Sequence, residues 1–330
     1  MNPYTSHTVY VTGGTLGDSP GSVALINAAT CNATVTSGCG QTPSTAPVGS
    51  TPGWVAVNPA THSVYVVNQA DSSVSVLDSI SCNATVTSGC VKTPPAIAIG
   101  FVGGAVDVDV PTDTIYVSNQ TANTVSVLNG ARCNASHTSG CTRFAPTTAV
   151  GFHPQGVATD RSTHTIYVAN REGTVTVISA AACNARNGSG CGQAWATVPV
   201  GDSPQGVAIE HATKTIYTAA GFNGASAVSV IDGRTCNASN TLGCGQAPAK
   251  TAAGAGAFAV AVDAASETIY VANRRDNTVS VIGGFATGPM CLGVIRTGQP
   301  WRLVPRRRRS PWTRTQTRSM SPTPTTTRSR

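Results

Sequence analysis

One tyrosine recurs along most of this chain at a nearly constant interval, and that interval limits the folds open to it. The pattern (T/S)-(V/I)-Y-(V/T) places Tyr at positions 10, 65, 116, 167, 217 and 270, with spacings of 55, 51, 51, 50 and 53 residues. The longer first spacing has a local cause: four residues are inserted between Gly13 and Gly21 relative to the second copy. Self-similarity at a period of roughly twenty to fifty residues marks arrays in which one unit cannot bury its own hydrophobic surface and needs its neighbours.

The period that opens at Ser203 shows the unit in full. Pro204 to Ile209, Lys214 to Ala219, Ala227 to Ile231 and Ala249 to Gly254 read as four short strands. Stretches such as Thr165-Ile166-Tyr167-Val168 and Thr174-Val175-Thr176-Val177 alternate with period two, the pattern of strands with two distinct faces. Polar turn residues such as Asp263, Asn273 and Asn277 punctuate the joints. Four antiparallel strands in about fifty residues predict an all-β fold, a β-propeller of four-stranded antiparallel blades. Six blades are recognisable. The innermost strand of each is expected in the V-x-V-(D/N) segments Val55 to Asn58, Val106 to Asp109, Val157 to Asp160, Val207 to Glu210 and Val260 to Asp263.

The tetrapeptides Tyr10-Val11-Thr12-Gly13, Tyr65-Val66-Val67-Asn68, Tyr116-Val117-Ser118-Asn119, Tyr167-Val168-Ala169-Asn170 and Tyr270-Val271-Ala272-Asn273 resemble the signature of YVTN-repeat β-propellers. The resemblance covers residues 2–282. It implies the propeller fold and says little about activity, since the family is similar to surface-layer proteins, secreted binding proteins and relatives of lyases and lactonases. The cysteine pairs below depart from the plain family pattern.

Charge separates the chain into residues 1–300, read as the propeller, and a basic segment, 301–330. The formal charge of +7 suggests a nucleic-acid or membrane partner until its location is considered. Residues 301–330 hold nine Arg and no acid, leaving 1–300 with 12 Lys and Arg against 14 acids, a net of −2. Nucleic acid is therefore a disfavoured partner for the folded part. No apolar run approaches the roughly twenty residues needed to span a membrane, and the opening MNPYTSHTVYV lacks the regions of a signal peptide.

Both ends depart from the repeat. Residues 2–10 align with the stretch after the innermost strand of the second copy, so the first blade is expected to start one strand late. Read from the third base of the Arg309 codon, with synonymous codons freely chosen, residues 309–330 can encode VAVDPDPDTVYVANADDDTVS. The intact stretch 260–280 is VAVDAASETIYVANRRDNTVS, identical at 13 of 21 positions. A frameshift within residues 283–309 is the expectation that follows, making 301–330 a disordered product and the remnant of a seventh blade. The rival is a nucleic-acid-binding arm built on Arg306 to Arg309. The nucleotide sequence of the locus separates the two.

Five cysteine pairs recur with seven residues between partners: Cys31 and Cys39, Cys82 and Cys90, Cys133 and Cys141, Cys183 and Cys191, Cys236 and Cys244. Each falls between the third and fourth strand of its blade, where a disulfide would close a hairpin loop and add about 2–3 kcal/mol in the chain-entropy view. Zinc is the rival, but no His or second pair accompanies each loop at ligand spacing. Oxidised pairs imply an extracellular or cell-surface location. Cys291 is left over. Asn32, Asn83, Asn134 and Asn237 open glycosylation sequons in form, yet Asn184 keeps the Asn without the acceptor, which favours a turn-forming role.

Candidate chemistry is sparse. Asp109, Asp160, Glu210 and Asp263 follow the innermost strands and could ring one mouth of a central channel, where a divalent metal or a general base would sit. The bland reading is that they cap a turn, as Asn58 would at the same position. His7, His62, His164 and His211 fall in or beside that turn, and no Gly-x-Ser-x-Gly elbow is present. No catalytic residue and no cofactor is assigned. The expected role is a non-catalytic extracellular or cell-surface scaffold whose loops bind an unidentified ligand or protein. The alternatives are a metal-assisted lyase or lactone hydrolase acting at the channel, and a nucleic-acid-binding propeller.

Overall fold

The computed structural model describes residues 7–13, 20–141, 145–221, 226–283 and 291–296, the last stretch by its backbone alone. The basic segment and the frameshift interval beyond 296 lie outside the described residues, as does the Cys291 side chain. Among the described residues there is no α-helix, only one 3₁₀ turn at Ser189–Gly192. Among these residues no helix is long and apolar enough to cross a membrane.

Six antiparallel sheets follow one another along the chain. The first has three strands, β1 (Thr8–Gly13), β2 (Pro20–Asn27) and β3 (Ser44–Ser50). The second holds β4 (Pro52–Asn58), β5 (Ser63–Asn68), β6 (Ser73–Asp78) and β7 (Ala96–Ala98). The third holds β8 (Gly103–Asp109), β9 (Thr114–Asn119), β10 (Thr124–Asn129) and β11 (Thr147–Ala149). The fourth is β12 (Pro154–Asp160), β13 (Thr165–Asn170), β14 (Thr174–Ser179) and β15 (Ala196–Pro199). The fifth is β16 (Pro204–Glu210), β17 (Thr215–Ala220), β18 (Ala227–Asp232) and β19 (Ala249–Ala252). The sixth is β20 (Ala257–Asp263), β21 (Thr268–Asn273), β22 (Thr278–Gly283) and β23 (Cys291–Arg296). Neighbours in each sheet are consecutive in sequence, so every blade is a simple meander.

The hydrophobic cores lie between the sheets. Five clusters of buried side chains each join one sheet to the next. In the fourth sheet Ile166, Val168 and Ile178 belong to the core shared with the third, while Tyr167, Val175 and Val177 belong to the core shared with the fifth. The alternation in sequence therefore sorts residues between two neighbours. Among the Tyr-bearing strands, β5, β9 and β13 are buried along their whole length, and buried and exposed residues alternate in the first and last, β1 and β21. From the third sheet onward, the innermost strand packs on the innermost and second strands of the sheet before it. Gly156 and Gly206 allow that approach: a Cβ would stand 2.5 Å from the Gln205 carbonyl at the first and 2.8 Å from the Phe258 carbonyl at the second.

The conserved positions of the repeat have separate tasks. The Asn that ends the Tyr strand clamps the following hairpin: Asn68 Nδ2 donates to Ser73 Oγ and Ser75 Oγ, and Asn119, Asn170 and Asn273 do the same in their own sheets. The Tyr hydroxyl reaches forward to the next sheet. Tyr10, Tyr65, Tyr116 and Tyr167 donate to the carbonyls of Cys82, Cys133, Cys183 and Cys236, at 2.7–3.0 Å. Two residues before each Tyr, a hydroxyl accepts from the same loop: Thr8, Ser63, Thr114 and Thr165 take the N–H of Ala84, Ala135, Ala185 and Ala238.

All five cysteine pairs are bonded. Four of these disulfides are buried members of the core shared with the preceding sheet, whereas Cys39 in the first sheet is exposed. The Asn after each first cysteine organises its loop. Asn134 Nδ2 donates to the Gly130 carbonyl, and its Oδ1 accepts from the N–H groups of Ser136 and His137. Asn83, Asn134 and Asn237 are buried, while Asn32 is exposed. Replacing Asn134 by Ala takes the side-chain donor from the Gly130 carbonyl at the buried base of the loop and the acceptor from two N–H groups at its exposed tip, so chemical denaturation should show a loss of about 1–2 kcal/mol.

Candidate functional site

Each innermost strand carries a β-bulge near its start, between Pro52 and Val55, Gly103 and Val106, Pro154 and Val157, Pro204 and Gly206, and Ala257 and Ala259. A bulge removes one residue from the in–out alternation and re-aims its side chain. In β4 that stretch contains Trp54, and in β20 it contains Phe258; the bulges elsewhere carry Gly, Ala or Gln. Trp54 packs against the core between the second and third sheets and against the core between the third and fourth. Its ring also stacks on Phe258 of the sixth sheet, with centroids 6.4 Å apart and planes inclined by 23°. A side chain that touches sheets so far apart in the series crosses the axis around which they are arranged.

The stack has a basic rim. The Arg274 guanidinium lies 5.9 Å from the Phe258 ring centroid, within the range of cation–π attraction. Beside it opens a cavity of about 310 Å³ lined by Gln205, Gly221, Gly256, Phe258, Arg274 and Arg275. The cavity carries aromatic surface, two guanidinium groups and an amide, and no carboxylate lines it. None of Trp54, Phe258, Arg274 or Gln205 stood out in the sequence as a site residue. The available signal was a local departure: Trp54 and Phe258 stand at adjacent bulge positions that the other repeats fill with Gly, Ala or Gln, whereas Gln205 and Arg274 have like counterparts in Gln155 and Arg171.

Asp107 is a second departure from the repeat, standing where the other innermost strands carry Ala56, Ala158, Ala208 and Ala261. Its Oδ2 accepts from the Thr159 N–H of the next innermost strand at 2.8 Å, and its Oδ1 from the Val108 N–H. Burial raises its pKa above the ordinary 3.8, against the lowering pull of these N–H donors and of Arg161. The folded state then holds this proton more tightly than the unfolded chain does. The resulting penalty is absent below the ordinary value, grows as pH rises and is complete above the raised folded value. The stability difference between Asp107→Asn and the parent, followed by urea unfolding from about pH 3.5 to about pH 7, should therefore shift in favour of the variant as pH rises.

The four carboxylates singled out in the sequence lie at the other end of the innermost strands, about 13 Å along the strand from the Trp54 level. Each holds the turn into the Tyr strand. Asp109 Oδ2 accepts from Thr112 Oγ1 at 2.5 Å, and Asp160 from the Ser162 N–H and hydroxyl and from Thr163 Oγ1. Glu210 Oε1 accepts from the Ala212 N–H, and Asp263 from the Ala265 N–H and Ser266 Oγ. Asn58 serves its turn in the same way, through the Ala60 N–H. Asp109, Asp160 and Glu210 are buried and Asp263 is exposed. The hydrogen bonds from Ser162 and Thr163, helped by Lys214, outweigh burial and hold the Asp160 carboxyl below its ordinary range.

His7, His62 and His164 occupy left-handed positions in that turn, with φ of 43°, 53° and 50°. Their carbonyls accept from residues beyond the third strand, Ala28, Ser79 and Ala180. His211 stands beside Asp160, Nδ1 to Oδ1 3.6 Å. Among the described residues no three His, Cys, Asp or Glu side chains converge in a way that could hold a metal ion.

No family model matches the chain, and no curated protein matches it. Solved structures do. The chain is similar to a protein assigned as a 6-phosphogluconolactonase from Bacteroides fragilis, with a TM-score of 0.63 and 14% identity over 88% of this chain and 81% of that one. It is similar to the WD40 domain of Toxoplasma gondii coronin, with a TM-score of 0.61 and 11% identity over 89% of this chain and 69% of that one. Kuenenia stuttgartiensis hydrazine synthase aligns with a TM-score of 0.54 and 18% identity over 73% of this chain, which spans 65% of that chain. At such identities the likeness speaks to architecture, and it agrees with the six meandering sheets: the chain folds as a WD40-like β-propeller.

Proposed function

We propose that this chain is an extracellular or cell-surface binding propeller, and that its ligand is a small anion with a flat apolar face, such as a carboxylated or phosphorylated sugar. One observation carries the reading: the two aromatic side chains that break the repeat, Trp54 and Phe258, meet beside a cavity that also carries guanidinium groups. Phe258 offers aromatic surface to the cavity with Trp54 stacked on it, and Arg274 offers a guanidinium fork suited to carboxylate or phosphate. The five disulfides support an oxidising compartment. The role resides in residues 1–300, with none assigned to the basic segment 301–330.

Titration calorimetry with glucuronate, glucose 6-phosphate and glucose tests the reading. Saturable heat is expected for the anions and none for neutral glucose. Arg274→Ala should weaken anion binding about tenfold to a hundredfold, the range expected for one charge-assisted contact. Equal binding of all three sugars, or anion binding unchanged in Arg274→Ala, would remove the site from consideration.

A further inference from the structure

The forward face of the sixth sheet repeats a surface that the earlier sheets use to hold their successors. Ala261, Tyr270 and Ala272 stand in register with Ala158, Tyr167 and Ala169 of the fourth sheet. The fourth-sheet residues are buried against the fifth sheet; those of the sixth are exposed, Tyr270 by 40%. Thr268 Oγ1 donates to the Ser266 carbonyl, as Thr165 does to Thr163, but at Thr165 the same oxygen also accepts the loop N–H of the following sheet. The backward face of the first sheet is the complementary half. Val9 and Val11 are exposed there, and the loop closed by Cys31 and Cys39 is seated on no sheet among the described residues, whereas its four counterparts are seated on a preceding sheet.

We propose that these two faces together form a docking site for one further module of the same repeat. Its disulfide-closed Cys-Asn-Ala loop would accept the Tyr270 hydroxyl and donate to Thr268. Its own Tyr and hydroxyl strand would receive the Cys31 carbonyl and the Ala33 N–H. Four copies of this two-hydrogen-bond joint within the chain define what fits. A single module satisfies both walls at once. A second copy of the whole chain does not, because Trp54 of the second sheet meets Phe258 of the sixth across the axis. The six sheets are arranged about that axis with the first and sixth faces open, so continuing the series with another six would lay the newcomer's second sheet over the first.

Tyr270 reports on occupancy. In the full chain, tetranitromethane followed by peptide mass analysis should nitrate Tyr270 and spare Tyr65, Tyr116 and Tyr167. Inserting a second copy of residues 153–201 after Arg296 should abolish Tyr270 nitration, and Asn→Ala at the position of the inserted loop that corresponds to Asn184 should restore it. Should the insertion fail to fold, the oxidised synthetic peptide 181–192 added to the full chain serves as the probe, with loss of Tyr270 nitration that depends on peptide and disappears when the peptide is reduced. Tyr270 nitrated equally with and without both modules overturns the proposal. Protection that instead follows the concentration of the unextended chain, together with its self-association in sedimentation velocity, overturns it in favour of a second copy.

Discussion

Replacing Tyr167 by Ala should destabilise the protein by about 3–5 kcal/mol, while the same change at Tyr270 should cost well under half of that. The two residues occupy equivalent places in one motif, so the contrast isolates the neighbour. Tyr167 is fully buried between the fourth and fifth sheets and donates to the Cys236 carbonyl at 2.7 Å. Truncation opens a cavity in a core made by two sheets and also leaves that carbonyl without a donor, a further cost of about 1–3 kcal/mol when the group stays dry. Tyr167→Phe keeps the ring and removes only the second effect. Equilibrium urea denaturation of the three variants gives the ordering. Similar losses at both positions would mean that the sixth sheet is covered as fully as the fourth.

Removing the Cys183–Cys191 disulfide by double substitution to Ser should cost about 2–3 kcal/mol from loop entropy alone. Packing adds to that figure here. Both cysteines are buried in the core shared by the third and fourth sheets, and the Cys183 carbonyl anchors Tyr116 while the Cys191 carbonyl accepts from Thr148. Loosening this loop therefore weakens the joint with the preceding sheet. The Cys31–Cys39 bond closes an equally long loop but contributes to no inter-sheet core among the described residues. Graded reduction with alkylation and mass analysis should thus open Cys31–Cys39 first and the four buried bonds only as the protein unfolds. Simultaneous opening of all five would contradict the docked arrangement.

Much of the architecture was legible because each repeat states it again. The strand expected from Pro204 to Ile209 is β16, Pro204–Glu210, and the segment from Ala227 to Ile231 lies within β18, Ala227–Asp232. The cysteine spacing pointed to closed hairpin loops for the same reason. The candidate site was not legible, since Trp54 and Phe258 meet only through two bulges and are separated by about two hundred residues. A bulge has no periodicity to betray it. Asp107 was hidden by its slot, which alternation assigns to a small core residue. The destination of the Tyr hydroxyl was hidden too: the acceptor is a peptide carbonyl some seventy residues downstream, brought near by the packing of whole sheets.

The displaced residues at the start of the innermost strands bear on how such a protein can diversify. Phe258 belongs to none of the five apolar clusters that knit the blades together. Mutation at Phe258 can therefore reshape the cavity beside it with little effect on the packing between blades, whereas the regular strand positions are tied to neighbouring sheets and resist change. A family sharing this scaffold would therefore be expected to vary most in its chemistry where the strand is least regular.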